Sequence, residues 1–251
     1  MRLRLALALL AGIWAGVWAG VWAGAAAADS SVRIGTEAAF PPYTFRDRSG
    51  ALRGFDIELG NEICRRADLK CEWVVNDWES ILPNLIDGKY DVVMAGMAVT
   101  SARARMVDFS LGYETGSNAA SAVLVRSGAA TSDRPRVGVQ AATIHEDWAR
   151  AMEASVSTYP TLVATVEALF DGRVDEVLGP QAFLEGVARN GGGKVEIAEV
   201  FGIPSGDTAA AFRKEDDALR DKFDSAIADM LHDGSIAAMA DKWFQAGDGT
   251  E

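Results

Sequence analysis

Histidine is nearly missing: His145 and His232 are the only two in 251 residues, and Cys64 and Cys71 are the only cysteines. The two histidines stand in unlike contexts. A metal centre, which draws on clustered His and Cys ligands, therefore has almost nothing to be built from. Basic residues are also short, 24 against 36 acids. A net charge of −12 excludes nucleic acid as a partner, because that surface demands a basic face. What remains is a dispersed chain, nearly half apolar and long enough for one or two domains around a substantial core.

Charge is absent from Leu5 to Gly24, an apolar run preceded by the basic stretch MRLR. Ala25 to Ala28 then offers an A-x-A type cleavage site, with Asp29 opening the mature chain. Residues 1–28 are thus expected to be a signal peptide. An uncleaved anchor competes, because about 20 apolar residues can span a bilayer; the alanine-rich exit favours cleavage. No cysteine ends the run, which argues against a lipid-anchored form. The chain is therefore expected to be exported. Cleavage removes Arg2 and Arg4 and no acid, leaving a net charge of about −14. In an exported chain two cysteines seven apart read as one disulfide, with two free thiols as the alternative.

The mature chain alternates strand and helix. Val32–Glu37 is strand-like, Phe40–Phe45 is a turn rich in aromatics, and DRSGALRGF reads as a hairpin bending at Gly50. Asp56–Leu69 sets Leu59, Ile63 and Ala67 on one helical face, with Glu58, Glu62 and Arg65 facing water. CEWVV follows as a strand, and Asp77 is expected to cap a helix over Glu79–Asp87. DVVMAGM reads as a buried strand, after which Thr100 caps a short helix carrying Arg103.

A second series begins after Gly116. It comprises the strand RVGVQ, a helix opened by the capping-box spacing Thr143–Glu146, a helix stopped at Gly172, the strand VDEVLG and a helix with Pro180 in its first turn. KVEIAEV and TAAAFRK read as strands, and two amphipathic helices close the chain. Two such α/β series suggest doubly wound lobes. Ligands of such folds bind outside the carboxyl ends of the strands, which points to GMAVT, VQAAT and LGPQ.

Five stretches, in order and at matching separations, carry a resemblance. They are GTEAAFPPYTF, GFDIELGNEICRRADLKCEWV, DWESILPNLIDGKYDVVMAGMAVTSARARMVDFS, VGVQAAT and GSIAAMADKWF. Over its mature length the chain resembles the periplasmic solute-binding proteins of polar amino-acid ABC transporters, family 3. It is nearest the branch for lysine, arginine, ornithine and histidine, which shares the cysteine pair seven apart. The resemblance implies an α/β, two-lobed periplasmic-binding-protein fold of type II, with one ligand between the lobes. The first lobe would be discontinuous, 29–116 plus 208–251, and the second would be 117–207. It further implies a monomer without cofactor, serving an inner-membrane ABC permease, and no enzymatic activity.

Site residues follow by the same resemblance. Arg103 would clamp the ligand's carboxylate, a task its planar fork suits, while Gly96 and Ala98 let the ligand approach backbone N–H donors. Thr143 and Ile144 would offer the first turn of their helix to the same carboxylate. Phe40 and Trp78 would sandwich the aliphatic or cationic part, and Glu37 would meet a distal cation. Gln140 is a weak candidate for the second-lobe wall. The competing readings are ordinary: Arg103 as a solvated helix arginine like Arg105, the aromatics as core, Glu37 as a solvated strand-end acid. His145 is expected to be exposed, and Trp148 to be packing.

Two positions depart from the pattern. Pro180 stands where the family has an aspartate for the ligand's α-ammonium, and Ala98 replaces a usual hydroxyl. Proline cannot neutralise a cation, and a buried unpaired ammonium costs several kcal/mol. Glu37 or Glu176 could take over, or the ligand lacks a primary α-ammonium, as an opine or an ectoine- or betaine-like solute does, or it is a simple carboxylate. Rival functions are an enzyme like the cyclohexadienyl dehydratases, which needs a placed general acid, and a ligand-sensing or accessory periplasmic protein.

Overall fold

The computed structural model describes residues 31–114, 120–129 and 132–245. The expected signal peptide and the Gly116 boundary lie outside the described residues. Among the described residues no helix is long and apolar enough to cross a membrane.

Two five-stranded sheets organise the chain. The first joins β1 (Val32–Thr36), β5 (Cys71–Val75), β6 (Val92–Val93), β7 (Asp108–Phe109) and β13 (Ala211–Phe212) in the order β5-β1-β6-β13-β7. The second joins β8 (Ser121–Arg126), β9 (Arg136–Gln140), β10 (Ser155–Tyr159), β11 (Glu176–Pro180) and β12 (Val195–Phe201) in the order β10-β9-β11-β8-β12. β13 is the last strand in the chain yet lies inside the first sheet, so the chain leaves that sheet and returns to it. A three-stranded sheet of β2 (Ala39–Phe40), β3 (Thr44–Arg46) and β4 (Leu52–Arg53) is the expected hairpin extended by one strand.

Each large sheet is apolar on both faces. In the first, Ile34, Met94 and Phe212 pack with Phe55, Leu59 and Ile63 of α1 (Phe55–Arg66) and with Phe223 and Ile227 of α7 (Asp217–His232). The opposite face is filled by Ile81 and Leu85 of α2 (Ile81–Ile86), with Tyr90, Val93 and Met97. Gly35 is dictated by that face, since a Cβ there would fall 2.6 Å from the Tyr90 ring. The second sheet packs Leu124 and Val177 with Leu162 and Leu169 of α5 (Leu162–Phe170) and Leu184 of α6 (Gln181–Asn190), and Val139 and Leu178 on its other face. Fully buried branched side chains contribute about 1.5–3 kcal/mol each.

Three threonines start helices by accepting an amide hydrogen bond. They are Thr100 before α3 (Ser101–Ala104), Thr143 before α4 (Ile144–Ala151) and Thr161 before α5. Elsewhere the pattern misleads. Asp77 makes no side-chain cap, and Trp78–Ser80 is a 3-10 turn before α2. The buried strand is only Val92–Val93, and Gly96 at φ +62° turns the chain soon after it. TAAAFRK contributes only Ala211–Phe212. Pro180 precedes α6 as its N-cap and lies outside its first turn. The last helix, α8 (Ser235–Ala240), runs into a π-helical turn at Asp241–Gln245.

Cys64 and Cys71 are bonded, their Cα atoms 6.2 Å apart, tying the end of α1 to β5. In the chain-entropy model closure of so short a loop is worth about 2.5 kcal/mol. The double alanine variant is therefore expected to unfold at a lower urea midpoint with the same slope. An unchanged midpoint contradicts this.

Candidate ligand-binding cleft

The carboxyl ends of β1 and β9 face the same space, a cleft of about 630 Å³. Its walls include all eight side chains or backbones singled out in the sequence: Glu37, Phe40, Trp78, Gly96, Ala98, Arg103, Thr143 and Ile144. Gln140, His145 and Pro180 join them, as do Tyr43, Leu162, Ser205 and Thr208.

Arg103 is held at the end of the four-residue α3. Its Nη1 donates to the Ala98 carbonyl at 2.8 Å and its Nη2 to the Ala142 carbonyl at 3.2 Å. The guanidinium carbon stands 5.2 Å from the Trp78 ring centre. Burial lowers its pKa to about 10, so it stays charged at neutral pH. Among the described residues no carboxylate pairs with it, unlike Arg33 on Asp91 at 2.8 Å. The fork is a cation fixed in place with no carboxylate bonded to it; Asp147 acts on it only electrostatically.

Contacts from the first sheet's side to the second frame the cleft. Trp78 Nε1 donates to the Ala142 carbonyl at 3.1 Å, the acceptor Arg103 also uses. Gln140 Nε2 donates to Glu37 Oε1 at 2.6 Å. Glu37 is buried, and that burial raises its pKa to about 7, against the opposing bond from Gln140.

Gly96 serves a different end from the one expected. A Cβ there would fall 2.6 Å from the Phe40 ring and 2.9 Å from Tyr43, and the two rings stack at 4.7 Å. The glycine makes room for aromatics of the protein itself. Its N–H is also taken, donating to Asp56 Oδ2 at 2.5 Å. Behind this floor lie two buried carboxylates. Asp56 accepts from Gly96 and Tyr113, and burial raises its pKa to about 7. Glu114 accepts from Tyr43 at 3.1 Å and Thr208 at 2.7 Å, so it orients two groups of the cleft wall.

Thr143 spends its hydroxyl locally. It donates to the Gln140 carbonyl at 2.8 Å and accepts from the Glu146 amide at 3.3 Å. Glu146 reaches back to the amide of Ala142, one residue earlier than an ordinary capping box. The Ile144 amide keeps no protein partner among the described residues.

His145 overturns the expectation of exposure. It is 7% exposed, with Nε2 3.2 Å from Ser121 Oγ of β8, because α4 packs on the second sheet with its first turn facing inward. Burial, aided by the Arg103 charge, lowers its pKa to about 4. Trp148 packs on Phe201 as expected, ring centres 6.0 Å apart. Glu176 is absent from the cleft wall and faces Asp175 and Glu199 electrostatically.

Two α/β lobes, each with a doubly covered sheet, and a charged cleft at their strand ends define a solute-binding protein. The chain belongs to the bacterial extracellular solute-binding proteins, family 3, whose model matches residues 32–246. It is similar to the L-arginine-binding protein of Pseudomonas aeruginosa, 32% identical over 239 residues covering 87% of this chain and 89% of that one. It is 30% identical over 236 residues to the lysine/arginine/ornithine-binding periplasmic protein of Escherichia coli, again covering 87% and 89%. A solved periplasmic His/Glu/Gln/Arg/opine family-binding protein from Silicibacter pomeroyi, in complex with lysine, matches at a TM-score of 0.81 and 36% identity. It covers 88% of this chain and 99% of that one.

Proposed function

We propose that this periplasmic protein captures one small carboxylate-bearing, amino-acid-like ligand between lobes 29–116 plus 208–251 and 117–207, and hands it to an inner-membrane ABC permease. The observation that carries the reading is Arg103, a fixed guanidinium on the cleft wall that, among the described residues, has no carboxylate bonded to it. Phe40 and Trp78 supply aromatic faces, Glu37 an acid for a cationic end, and Thr143 and Ile144 the opposite wall. Relatives named for the binding of arginine, of lysine, arginine and ornithine, and of octopine support a ligand of this class. Mass spectrometry of the metabolite that co-purifies with the native protein tests it. Recovery of a ligand without any carboxylate overturns it.

The ligand is one without a free primary α-ammonium: an opine or an ectoine- or betaine-like solute, or a carboxylate with no cation beside it. Pro180 supports this by bringing neither charge nor N–H to the cleft at the end of β11. Pro180→Asp is expected to tighten binding of ordinary α-amino acids by about tenfold, one charge-assisted bond's worth. No gain in calorimetry contradicts it.

One observation favours a second reading. Glu37, with a pKa of about 7, has the proton affinity of a general acid. Incubation with prephenate or arogenate is expected to yield no product; turnover lost in Glu37→Gln would establish a dehydratase instead.

A further inference from the structure

Most polar side chains on the cleft wall are already engaged within the protein. Tyr43 and Thr208 donate to Glu114, Trp78 donates to Ala142, Gln140 donates to Glu37, and Thr143 caps its own helix. His145 is different. Its Nε2 meets Ser121 at 3.2 Å, and among the described residues its Nδ1 has no partner. Ser121 is wholly buried, and among the described residues His145 is the one side chain hydrogen-bonded to its hydroxyl. Were Nε2–H to donate, the buried hydroxyl proton would be stranded, at a cost comparable to a lost hydrogen bond. The hydroxyl therefore donates to Nε2, and a neutral imidazole carries its proton on Nδ1. The low pKa, about 4, agrees with a neutral ring beside Arg103. Ser121 is also the register partner of Pro180, which offers neither charge nor donor. Three donors thus line this cleft near one another: the Arg103 fork, the Ile144 amide and the His145 ring.

We infer that His145 is a specificity-determining residue, whose Nδ1–H narrows these ligands to one with an oxygen acceptor, hydroxyl or carbonyl, on the carbon next to the carboxylate, in place of the nitrogen that an opine, ectoine or betaine carries there. A donor facing an ammonium is a repulsive pair, whereas a donor facing an oxygen is a hydrogen bond. Discrimination of this kind arises from leaving a buried polar group unpaired with the wrong guest. The inference rests on the reading that Arg103 grips the carboxylate.

Two measurements on the mature chain test it. With only two histidines, long-range proton–nitrogen NMR assigns each ring directly. His145 is expected to be the neutral Nδ1–H tautomer at pH 7; the Nε2–H tautomer or a charged ring overturns the inference. Calorimetry then compares L-arginine with its α-hydroxy analogue, 2-hydroxy-5-guanidinopentanoic acid. The hydroxy acid is expected to bind about tenfold more tightly, and His145→Phe to abolish that preference. Equal or tighter binding of L-arginine, no binding of the hydroxy acid, or an unaltered preference in His145→Phe each overturns it. Arg103→Ala leaving the co-purifying ligand bound as before would instead overturn the reading of the cleft, so the two failures are told apart.

Discussion

Arg103→Ala is expected to weaken ligand binding by at least a hundredfold. Two charge-assisted hydrogen bonds to a carboxylate contribute about 1.5–3 kcal/mol each, and every 1.4 kcal/mol is about a factor of ten in Kd. Arg103→Lys is expected to recover only part of this, because an ammonium cannot reproduce the planar fork. The empty protein should respond in the opposite direction. Burial holds the Arg103 pKa down, so the charge is disfavoured where it sits. Removing it is expected to leave the unliganded melting midpoint unchanged or slightly higher, while calorimetry with the co-purifying metabolite records the loss. A variant that binds as tightly as the parent sinks the proposed grip.

The same contrast explains what could be read from the chain. Thr100 and Thr143 announced their helices because a cap is a local bargain between residues three apart; Thr161 caps in the same way without having been singled out. Leu59 and Ile63 announced their buried face through helical spacing alone. The eight candidate residues gathered at one cleft because strand ends position them, and strand ends are visible in the pattern. Asp56 was not legible. An acid in the first turn of a helix looks like an ordinary dipole partner, and only the fold reveals that Gly96 and Tyr113, far along the chain, surround it. His145 failed for the same reason, its burial being set by Ser121 on another strand. Gly96 was recognised as important for the wrong cause: Phe40 and Tyr43, rather than a guest, occupy the space a side chain would need. Groups whose role depends on a distant partner leave no periodic trace.

Contacts across the cleft also bear on its closure. Trp78 and Arg103 both donate to the Ala142 carbonyl, and Gln140 donates to Glu37. Each bond joins a residue before Gly116 to one after it, so each exists only when the two walls are close. A ligand that engages Arg103 and Glu37 shifts this equilibrium by its differential affinity for the closed arrangement, and by no more than that. On the proposed reading, the residues that recognise the guest are thus the residues that hold the walls together.

Glu37→Gln is expected to cost about 3 kcal/mol for a ligand with a cationic end, the range for leaving one member of a buried pair alone, or about a hundredfold in Kd. The pH dependence gives the sharper signature. In the unfolded chain this carboxyl titrates near 4.5, and in the fold burial lifts it to about 7. Between those values the folded protein holds a proton that the unfolded chain has released, so stability of the empty protein falls as pH rises through that window. A bound cation favours the carboxylate and expels the proton. Affinity for such a ligand should therefore climb by about fivefold from pH 6 to 7, reach about tenfold by pH 8 and level off above it, and the Gln variant should be flat. Proton release measured by calorimetry in buffers of different ionisation enthalpy checks the sign directly. A cationic ligand whose affinity in the parent protein stays constant from pH 6 to 8 would show that Glu37 does not meet it.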